Sequence, residues 1–137
     1  MAKTPFHVEV LTPEGPCFDD EVVQISTRTG TGSIGILARH QPLLGMLDPT
    51  ALRLYKSETD IVTYAQGEGY IQVSRDGVLI LVEEAHKPDS LDVADLRDKL
   101  RRSEEALSSA EDDTEEQRRA ERDKRRWETF ISIAEGG

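Results

Sequence analysis

The hydrophobic period of the chain changes near residue 88, and this change limits the fold more than any other feature. Residues 1–87 contain short segments of alternating apolar and polar residues, separated by turn-forming residues. Such a pattern predicts a β-sandwich or flattened barrel of about ten short strands. Residues 88–137 instead space their apolar residues by three or four, which predicts helices. We therefore expect an α+β chain, with a β-sandwich domain at 1–87 followed by an antiparallel two-helix hairpin domain at 88–137.

The helical part carries start signals for two helices. Asp92 occupies the position of an N-cap, and Asp95 lies in the first turn, where the helix dipole favours an acid. A second start follows at 114–117, where a threonine and a glutamine have the spacing of a capping box. The apolar stripe of the first helix is short: Val93, Leu96, Leu100 and Leu107. With so little apolar surface to bury, the hairpin is expected to be marginally stable and able to leave its docking surface.

A G-x-G-x-x-G sequence at residues 30–35 invites a nucleotide-binding interpretation. This motif binds a pyrophosphate only where a strand precedes it and a helix follows, since the phosphate rests on the helix N-terminus. A strand is predicted at 22–27, but Pro42 follows too soon for a helix and disfavours the α conformation at Gln41. We therefore predict a glycine-rich loop between short strands.

The formal net charge of −10 excludes several classes of partner. Nucleic-acid binding depends on neutralising phosphates, and adsorption to anionic lipid needs a basic surface. No apolar run reaches the length of a membrane span, and the N-terminus lacks the apolar core of a secretory signal. The single cysteine, Cys17, is consistent with a reducing cytosol, and we interpret it as a small packing residue.

The sequence contains no motif for catalysis or metal binding. His7, His40 and His86 have no metal-ligand spacing with one another or with Cys17. No serine occupies a nucleophile elbow, and the carboxylates fall in runs that are typical of a solvated face. We therefore predict no catalytic residue, no metal site and no bound cofactor.

Two motifs and the order of the surrounding features resemble those of a known family. The first motif is G-x-x-G-I-L-x-x-H-x-P-L-L at residues 32–44, and the second is Q-G-x-G-Y-I-x-V at residues 66–73. A V-E-E-A segment at 82–85, a Leu-Asp helix start at 91–92 and two charged helices follow. This succession resembles the epsilon subunit of bacterial F-type ATP synthase, called delta in mitochondria, over essentially the whole chain.

The resemblance implies a non-catalytic rotor subunit of the central stalk, which couples proton-driven rotation to ATP synthesis. In that family the sandwich packs against the gamma subunit and touches polar loops of the membrane c-ring. The complex lies on the cytoplasmic face of the bacterial cell membrane, so such a subunit is peripheral and meets the membrane only through the complex. The positions that match the c-ring and gamma contact are Gly30, Thr31, Gly32 and Ser33, with His40, Gln41 and Pro42 beside them. Ser33 stands where the family often has an acid, so it has no carboxylate for an ion pair with the ring.

In the family the helical hairpin either lies folded on the sandwich or extends beside gamma toward the alpha and beta subunits. The extended hairpin obstructs ATP hydrolysis, and its basic second helix faces an acidic segment of the beta subunit. The residues that match this role are Arg118, Arg119, Arg122, Arg125 and Arg126. A plain solubilising face is the other interpretation of the same cluster.

Some relatives bind ATP between sandwich and hairpin through a segment of the form Ile/Leu-Asp-x-x-Arg-Ala. Here Leu91 and Asp92 keep the first two positions, but Asp95 stands where the arginine is expected. Because a carboxylate repels phosphate, we expect ATP binding to be weak or absent.

A second class of function suits the same pattern of elements. A small β-barrel could bind a sugar or a nucleotide, with the helices as a dimerisation arm. Such barrels usually line a pocket with aromatic rings, and the aromatic content of this chain is only 5%. We therefore favour the stalk subunit over the ligand-binding module.

Overall fold

Residues 3–136 form ten strands and two α-helices, which confirms the predicted fold class. The computed structural model describes residues 3–136, and the chain divides into two compact units, Met1–Lys87 and Pro88–Gly137. The strands of the first unit are β1 (Phe6–Thr12), β2 (Gly15–Val22), β3 (Gln24–Thr29), β4 (Gly32–Ile36), β5 (Leu43–Leu47), β6 (Thr50–Tyr55), β7 (Ile61–Gln66), β8 (Gly69–Ser74), β9 (Gly77–Val82) and β10 (Ala85–His86).

The strands join into one sheet that folds over a single core. Their order is β10-β7-β6-β3-β5-β8-β9-β1-β2, and β4 pairs with β3 outside this path. Neighbours are antiparallel apart from β1 and β9, which run parallel. Strands β3 and β5 share the single pair Thr29–Leu47. The core is aliphatic apart from one tyrosine and comprises Val8, Val10, Val22, Ile25, Ile36, Leu47, Leu52, Leu54, Tyr64, Ile71, Val73, Val78, Ile80 and Val82.

Strand β2 departs from the alternation that identifies the other strands. It contains Pro16 and the exposed acids of residues 19–21, and it follows the turn that the proline-rich segment at 12–16 predicts. The structure places β2 at an end of the sheet, paired only with β1. An edge strand tolerates proline and gains from charged residues, which discourage pairing with another chain. Sequence periodicity therefore missed this strand for a physical reason.

The second unit is a helical hairpin. A 3₁₀ turn at Pro88–Ser90 precedes α1 (Val93–Ser109), and α2 spans Glu115–Ala134. Arg97 near the start of α1 pairs with Glu135 at the end of α2, with 2.7 Å between nitrogen and oxygen, so the helices are antiparallel. Within residues 3–136, neither helix is long and apolar enough to cross a membrane.

Both predicted helix starts are confirmed. The Asp92 carboxylate accepts a hydrogen bond from the backbone N–H of Asp95 at 3.2 Å, and Thr114 Oγ1 accepts one from the N–H of Gln117 at 3.2 Å. The Gln117 side chain reaches back to the N–H of Asp113 at 2.8 Å. The helices bury only Leu96, Ser103, Ala120 and Phe130. The marginal stability of the hairpin stays a prediction.

Candidate docking surfaces

The segment 30–33 forms the tip of a β-hairpin. Thr29 pairs with Gly32, so Gly30 and Thr31 make the connection between β3 and β4. Thr29 Oγ1 donates to the Gly32 carbonyl at 3.1 Å, and Gly32 adopts φ +133°, a conformation that glycine tolerates. A Cβ atom added at Gly30 or Gly32 would meet no atom within 4 Å. The glycine-rich motif is therefore an exposed turn between strands, as predicted, and no helix follows it.

His40, Gln41 and Pro42 connect β4 to β5, whereas Gly30 and Thr31 lie at the opposite end of β4. The five residues of β4 lie between the two segments and span about 13 Å at the usual rise per residue. The contact of both segments with gamma and the c-ring stays a prediction.

The connection at 37–42 has a defined conformation. The His40 N–H donates to the Leu37 carbonyl at 3.2 Å, and Arg39 adopts φ +64°. The ring Nδ1 of His40 lies 2.8 Å from the Gln41 carbonyl oxygen, which fixes the imidazole against its own backbone. Pro42 then leads directly into β5. The segment is thus a turn in which Gln41 and Pro42 are both exposed.

Sequence reasoning missed an exposed apolar surface on the outward side of strands β5, β8, β9 and β1. Along one row of paired positions lie Met46, Tyr70, Leu81 and Leu11. Met46 is 67% exposed and Tyr70 is 53% exposed, and Leu44 beside this row is 74% exposed. We call Leu11, Leu44, Met46, Tyr70 and Leu81 the apolar face. The signal was present in the sequence, because β5 (LLGML) and β9 (GVLILV) carry apolar residues on both sides instead of alternating.

A groove of about 570 Å³ lies at the end of the apolar face that is nearer the glycine turn. The apolar residues that line it are Leu11, Pro13, Met46, Leu47, Tyr70, Leu81 and Val82. Three acids, Asp48, Glu68 and Glu83, stand at the same end. The Gly30 N–H donates to the Met46 carbonyl at 3.3 Å, which ties the glycine turn to the strand beside the groove.

The five arginines of α2 differ in their surroundings. Arg118 and Arg122 both bind Glu115, at 3.3 Å and 3.1 Å. The hydrogen bond from Arg122, followed by that from Arg118, holds the pKa of the Glu115 carboxyl below its usual range. Arg119 and Arg125 are exposed. The spacing of 118, 122 and 125 places three of the guanidinium groups along one side of the helix.

Arg126 differs from the other four arginines because its side chain is largely buried. Its guanidinium carbon lies 5.3 Å from the centre of the Trp127 ring, and its Nη1 lies 3.9 Å from a carboxylate oxygen of Asp123. The Trp127 ring in turn packs edge-on against Phe130, with the ring centres 6.0 Å apart. Arg126 therefore contributes to the packing of the hairpin as well as to its charge.

The two acids considered for an ATP motif already have structural partners. Asp92 caps α1, and the carboxylate of Asp95 lies 3.1 Å from the ammonium of Lys99. Asp92 at the N-cap and Asp95 in the first turn both stand where an acid compensates the helix dipole. Weak or absent ATP binding stays a prediction.

The cysteine and two of the histidines of the sandwich have defined local surroundings. Residues 3–136 contain no cluster of three or more His, Cys, Asp or Glu that could hold a metal ion. Burial raises the pKa of the Cys17 thiol, which disfavours the nucleophilic thiolate. His7 lies 2.7 Å from Asp19, and His86 lies 2.7 Å from Glu84. Each of these two imidazoles thus has a carboxylate within hydrogen-bonding distance on the sandwich.

A family model and a full-length relative both match this chain, and both describe the same subunit of ATP synthase. The sequence model of the family described as ATP synthase, Delta/Epsilon chain, beta-sandwich domain, matches residues 5–88. The chain is 36% identical over 128 residues to the ATP synthase epsilon chain of Halalkalibacterium halodurans, covering 93% of this chain and 96% of that protein. This relative extends the similarity through the helical unit.

Two solved structures have the same fold. A chain of the Euglena gracilis mitochondrial ATP synthase matches with a TM-score of 0.80 at 19% identity, covering 96% of this chain and 82% of that chain. A chain from the central stalk and c-ring of the Tetrahymena thermophila mitochondrial ATP synthase matches with a TM-score of 0.64 at 17% identity, covering 98% and 99%. At these identities the likeness concerns the fold.

Proposed function

The chain belongs to the ATP synthase delta/epsilon family, and from this membership we propose that it is a non-catalytic subunit of the central stalk. In this proposal the sandwich unit binds the gamma subunit and the c-ring, and so takes part in coupling proton-driven rotation to ATP synthesis. The helical unit restrains ATP hydrolysis when it reaches the alpha and beta subunits. We also propose that the boundary at residues 87–88 separates these two roles.

The observation that carries this proposal is the apolar face of the sandwich. Monomeric proteins rarely leave a contiguous apolar surface in water, and such a surface usually marks a protein partner. Here Leu44 and Met46 are more exposed than the other large apolar side chains described, at 74% and 67%. A partner that covers the face removes these side chains from water and contributes to binding in proportion to the apolar area buried.

The two loop segments serve as separate contacts in this proposal. The glycine turn at Gly30–Ser33 allows close approach of another backbone, because its glycines carry no side chain. The turn at His40, Gln41 and Pro42 lies at the other end of β4. A partner that uses both must extend along the whole strand, or two partners must bind. The gamma subunit and the loops of the c-ring together meet this requirement.

The helical unit supplies a basic surface suited to an acidic partner. Arg118, Arg122 and Arg125 lie along one side of α2, and Arg119 is exposed next to them. In the proposed extended state, these groups contact an acidic segment of the beta subunit. Opposite charges across an interface raise the association rate and fix the orientation of the partner. The attachment to the cytoplasmic face of the bacterial cell membrane then runs through the complex.

Binding to the purified gamma subunit tests the proposal. The full chain should bind gamma and, in the presence of gamma, detergent-solubilised c-ring. Replacing Leu44 and Met46 by aspartate should abolish binding, because the carboxylates cannot be buried against an apolar partner. The matched control is Ile61→Asp, since Ile61 is 41% exposed on β7, away from the apolar face. A chain that fails to bind gamma would contradict the proposal.

A further inference from the structure

We infer that the outward side of strands β6, β3 and β4 is a docking site for an extended, acidic segment of another polypeptide, which adds to the sheet beside β4. The inference goes beyond the proposed function, because none of these three strands contributes a residue to the apolar face. The site consists of Arg28, Arg53 and the strand β4, and we call it the basic edge.

Strand β4 is an open edge of the sheet. Within residues 3–136 it pairs with β3 alone. In an antiparallel pair, only some of the N–H and C=O groups of a strand point at its neighbour. The remaining groups of β4 point away from β3 and can pair with a further strand. Addition of an extended segment to such an edge is a recurring form of peptide recognition.

The other two ends of the sheet carry features that discourage such pairing. Strand β2 contains Pro16 and the exposed acids at 19–21, and β10 is only two residues long. Proline, charged residues and short length all protect an edge strand from pairing with another chain. The sequence of β4, GSIGI, has no charged residue and no proline. This contrast within one sheet identifies β4 as the edge that accepts a partner.

Two arginines lie behind β4 on the outward side of the sheet. Arg53 of β6 stands opposite Ser26 of β3, and Arg28 lies two residues farther along β3. The two arginines are therefore diagonal neighbours, about 7–8 Å apart. Both are exposed, and within the part of the chain that the structure describes neither guanidinium has a carboxylate oxygen within 4.0 Å. Two like charges without a counter-charge repel each other, and an anionic partner offsets that repulsion.

The register of the sheet places these charges within reach of an added strand. Arg28 pairs with Ser33, so only a small side chain stands between Arg28 and the open edge. A Cβ atom built on Gly35 would meet only the Ile25 carbonyl oxygen, at 3.9 Å. Because neighbouring strands lie about 4.8 Å apart, an added strand is about 10 Å from β3. Extended arginine and glutamate side chains bridge that gap, and Arg53 adds to the positive potential behind it.

The inward side of β4 determines the other residues of the segment. Ile36 is fully buried, and Ile34 is partly buried against the core. Residues of an added strand that face inward lie beside Ile34, where apolar side chains gain from burial. Residues that face outward lie on the same side as Arg28. Since the two sides alternate along a strand, the segment that fits the site alternates acidic and apolar residues.

NMR titration of the ¹⁵N-labelled full chain with a synthetic peptide tests the basic edge. The probe is a capped heptapeptide in which glutamates alternate with valines, and it should shift the backbone amides of β4 in a saturable manner. The double substitution Arg28→Gln and Arg53→Gln should weaken binding about 10-fold or more and reduce its dependence on salt. The matched control is Arg75→Gln with Arg119→Gln, which removes the same charge at two exposed positions outside the basic edge. This control should change affinity less than about 2-fold.

Two further peptides separate the charge of the site from strand addition. Lysine in place of the glutamates should abolish binding, because the arginines repel it. Proline in place of the valines should also abolish binding, because proline has no N–H to donate to a neighbouring strand. Equal binding of the proline peptide would overturn strand addition.

The remaining outcomes decide the inference as a whole. Equal affinity of the wild type and the Arg28→Gln, Arg53→Gln variant would overturn the role of the two arginines. Failure of the glutamate peptide to bind, or shifts confined to strands other than β3, β4 and β6, would overturn the docking site. No gamma subunit is present in these titrations, so their failure leaves the proposed function to its own binding test.

Discussion

Gln66 and Thr27 form a hydrogen bond of 2.6 Å inside the sandwich, where both side chains are almost completely buried. The bond links β7 to β3, and the same amide of Gln66 continues to two backbone carbonyls at the edge of the core. Buried polar groups are costly when unpaired, whereas a fully connected set specifies one arrangement of the chain. Here the hydrogen bonds of Gln66 hold the backbone at Asp48 and Gly67 in one conformation, beside the groove.

Replacing Gln66 by leucine should lower the free energy of unfolding by about 3 kcal/mol, because the Thr27 hydroxyl and two backbone carbonyls lose their partner. Urea denaturation of the full chain measures this change. The exposed Gln72 on β8 provides the control, and Gln72→Leu should shift stability by less than about 0.5 kcal/mol. Equal stabilities of the two variants would show that the buried amide is dispensable.

Gly69 permits the close approach of β8 and β9. A Cβ atom at this position would overlap the carbonyl oxygen of Leu81 and lie 2.7 Å from the Cα of Val82, both part of the neighbouring strand. Gly69→Ala should therefore destabilise the sandwich by about 2–3 kcal/mol. Gly30→Ala is the control, because open space surrounds Gly30. Thermal unfolding compares the stability of the two variants. If Gly69→Ala unfolded at the same temperature as the wild type, the close approach of β8 and β9 would be refuted.

Asp92 anchors the first turn of α1 through its contact with the Asp95 N–H. Asp92→Ala should cost about 1 kcal/mol of helix stability. Hydrogen exchange of the full chain should show faster exchange of the amides in the first turns of α1. Asp92→Asn keeps an acceptor at the same place and should retain most of the protection. Identical exchange in Asp92→Ala and wild type would contradict the capping role.

The carboxyl of Glu115 should titrate below the usual glutamate range, because Arg122 and then Arg118 bind its ionised form. A pKa lowered by folding means that the interaction is present above the unfolded pKa and is lost as the pH falls through the folded pKa. Arg122→Gln should raise the midpoint of Glu115 more than Arg118→Gln does, as measured by NMR. A larger effect from Arg118→Gln would reverse the assigned order of the two partners.

Removal of the helical unit tests the proposed restraint on hydrolysis. A chain ending at Lys87 should assemble with gamma while raising the ATPase activity of the reconstituted complex. Within the full chain, Arg125→Glu should raise activity several-fold, about as expected for a reversed charge at an interface. Arg101→Glu on α1 is the control, since Arg101 is exposed on the other helix. If ATPase activity were unchanged with both the truncated chain and the Arg125→Glu variant, the hairpin would not restrain ATP hydrolysis.

The sequence by itself determined the features that depend on residues close together in the chain. Alternation predicted most of the strands, and a change of period at residue 88 predicted the hairpin, because side-chain direction follows the backbone repeat. The capping residues Asp92 and Thr114 marked both helix starts, since a cap satisfies amides only a few residues away. The absence of a helix after the glycine motif was equally predictable, because Pro42 acts on its immediate neighbour.

Only the tertiary structure decided which of these segments meet. Strand pairing joins residues far apart in sequence, so it alone placed Met46, Tyr70 and Leu81 in one row and created the groove. The same pairing places Gly30 and His40 at opposite ends of β4. Local periodicity sets which side of a strand a residue occupies, whereas long-range register sets its neighbours, and a docking surface is made of neighbours.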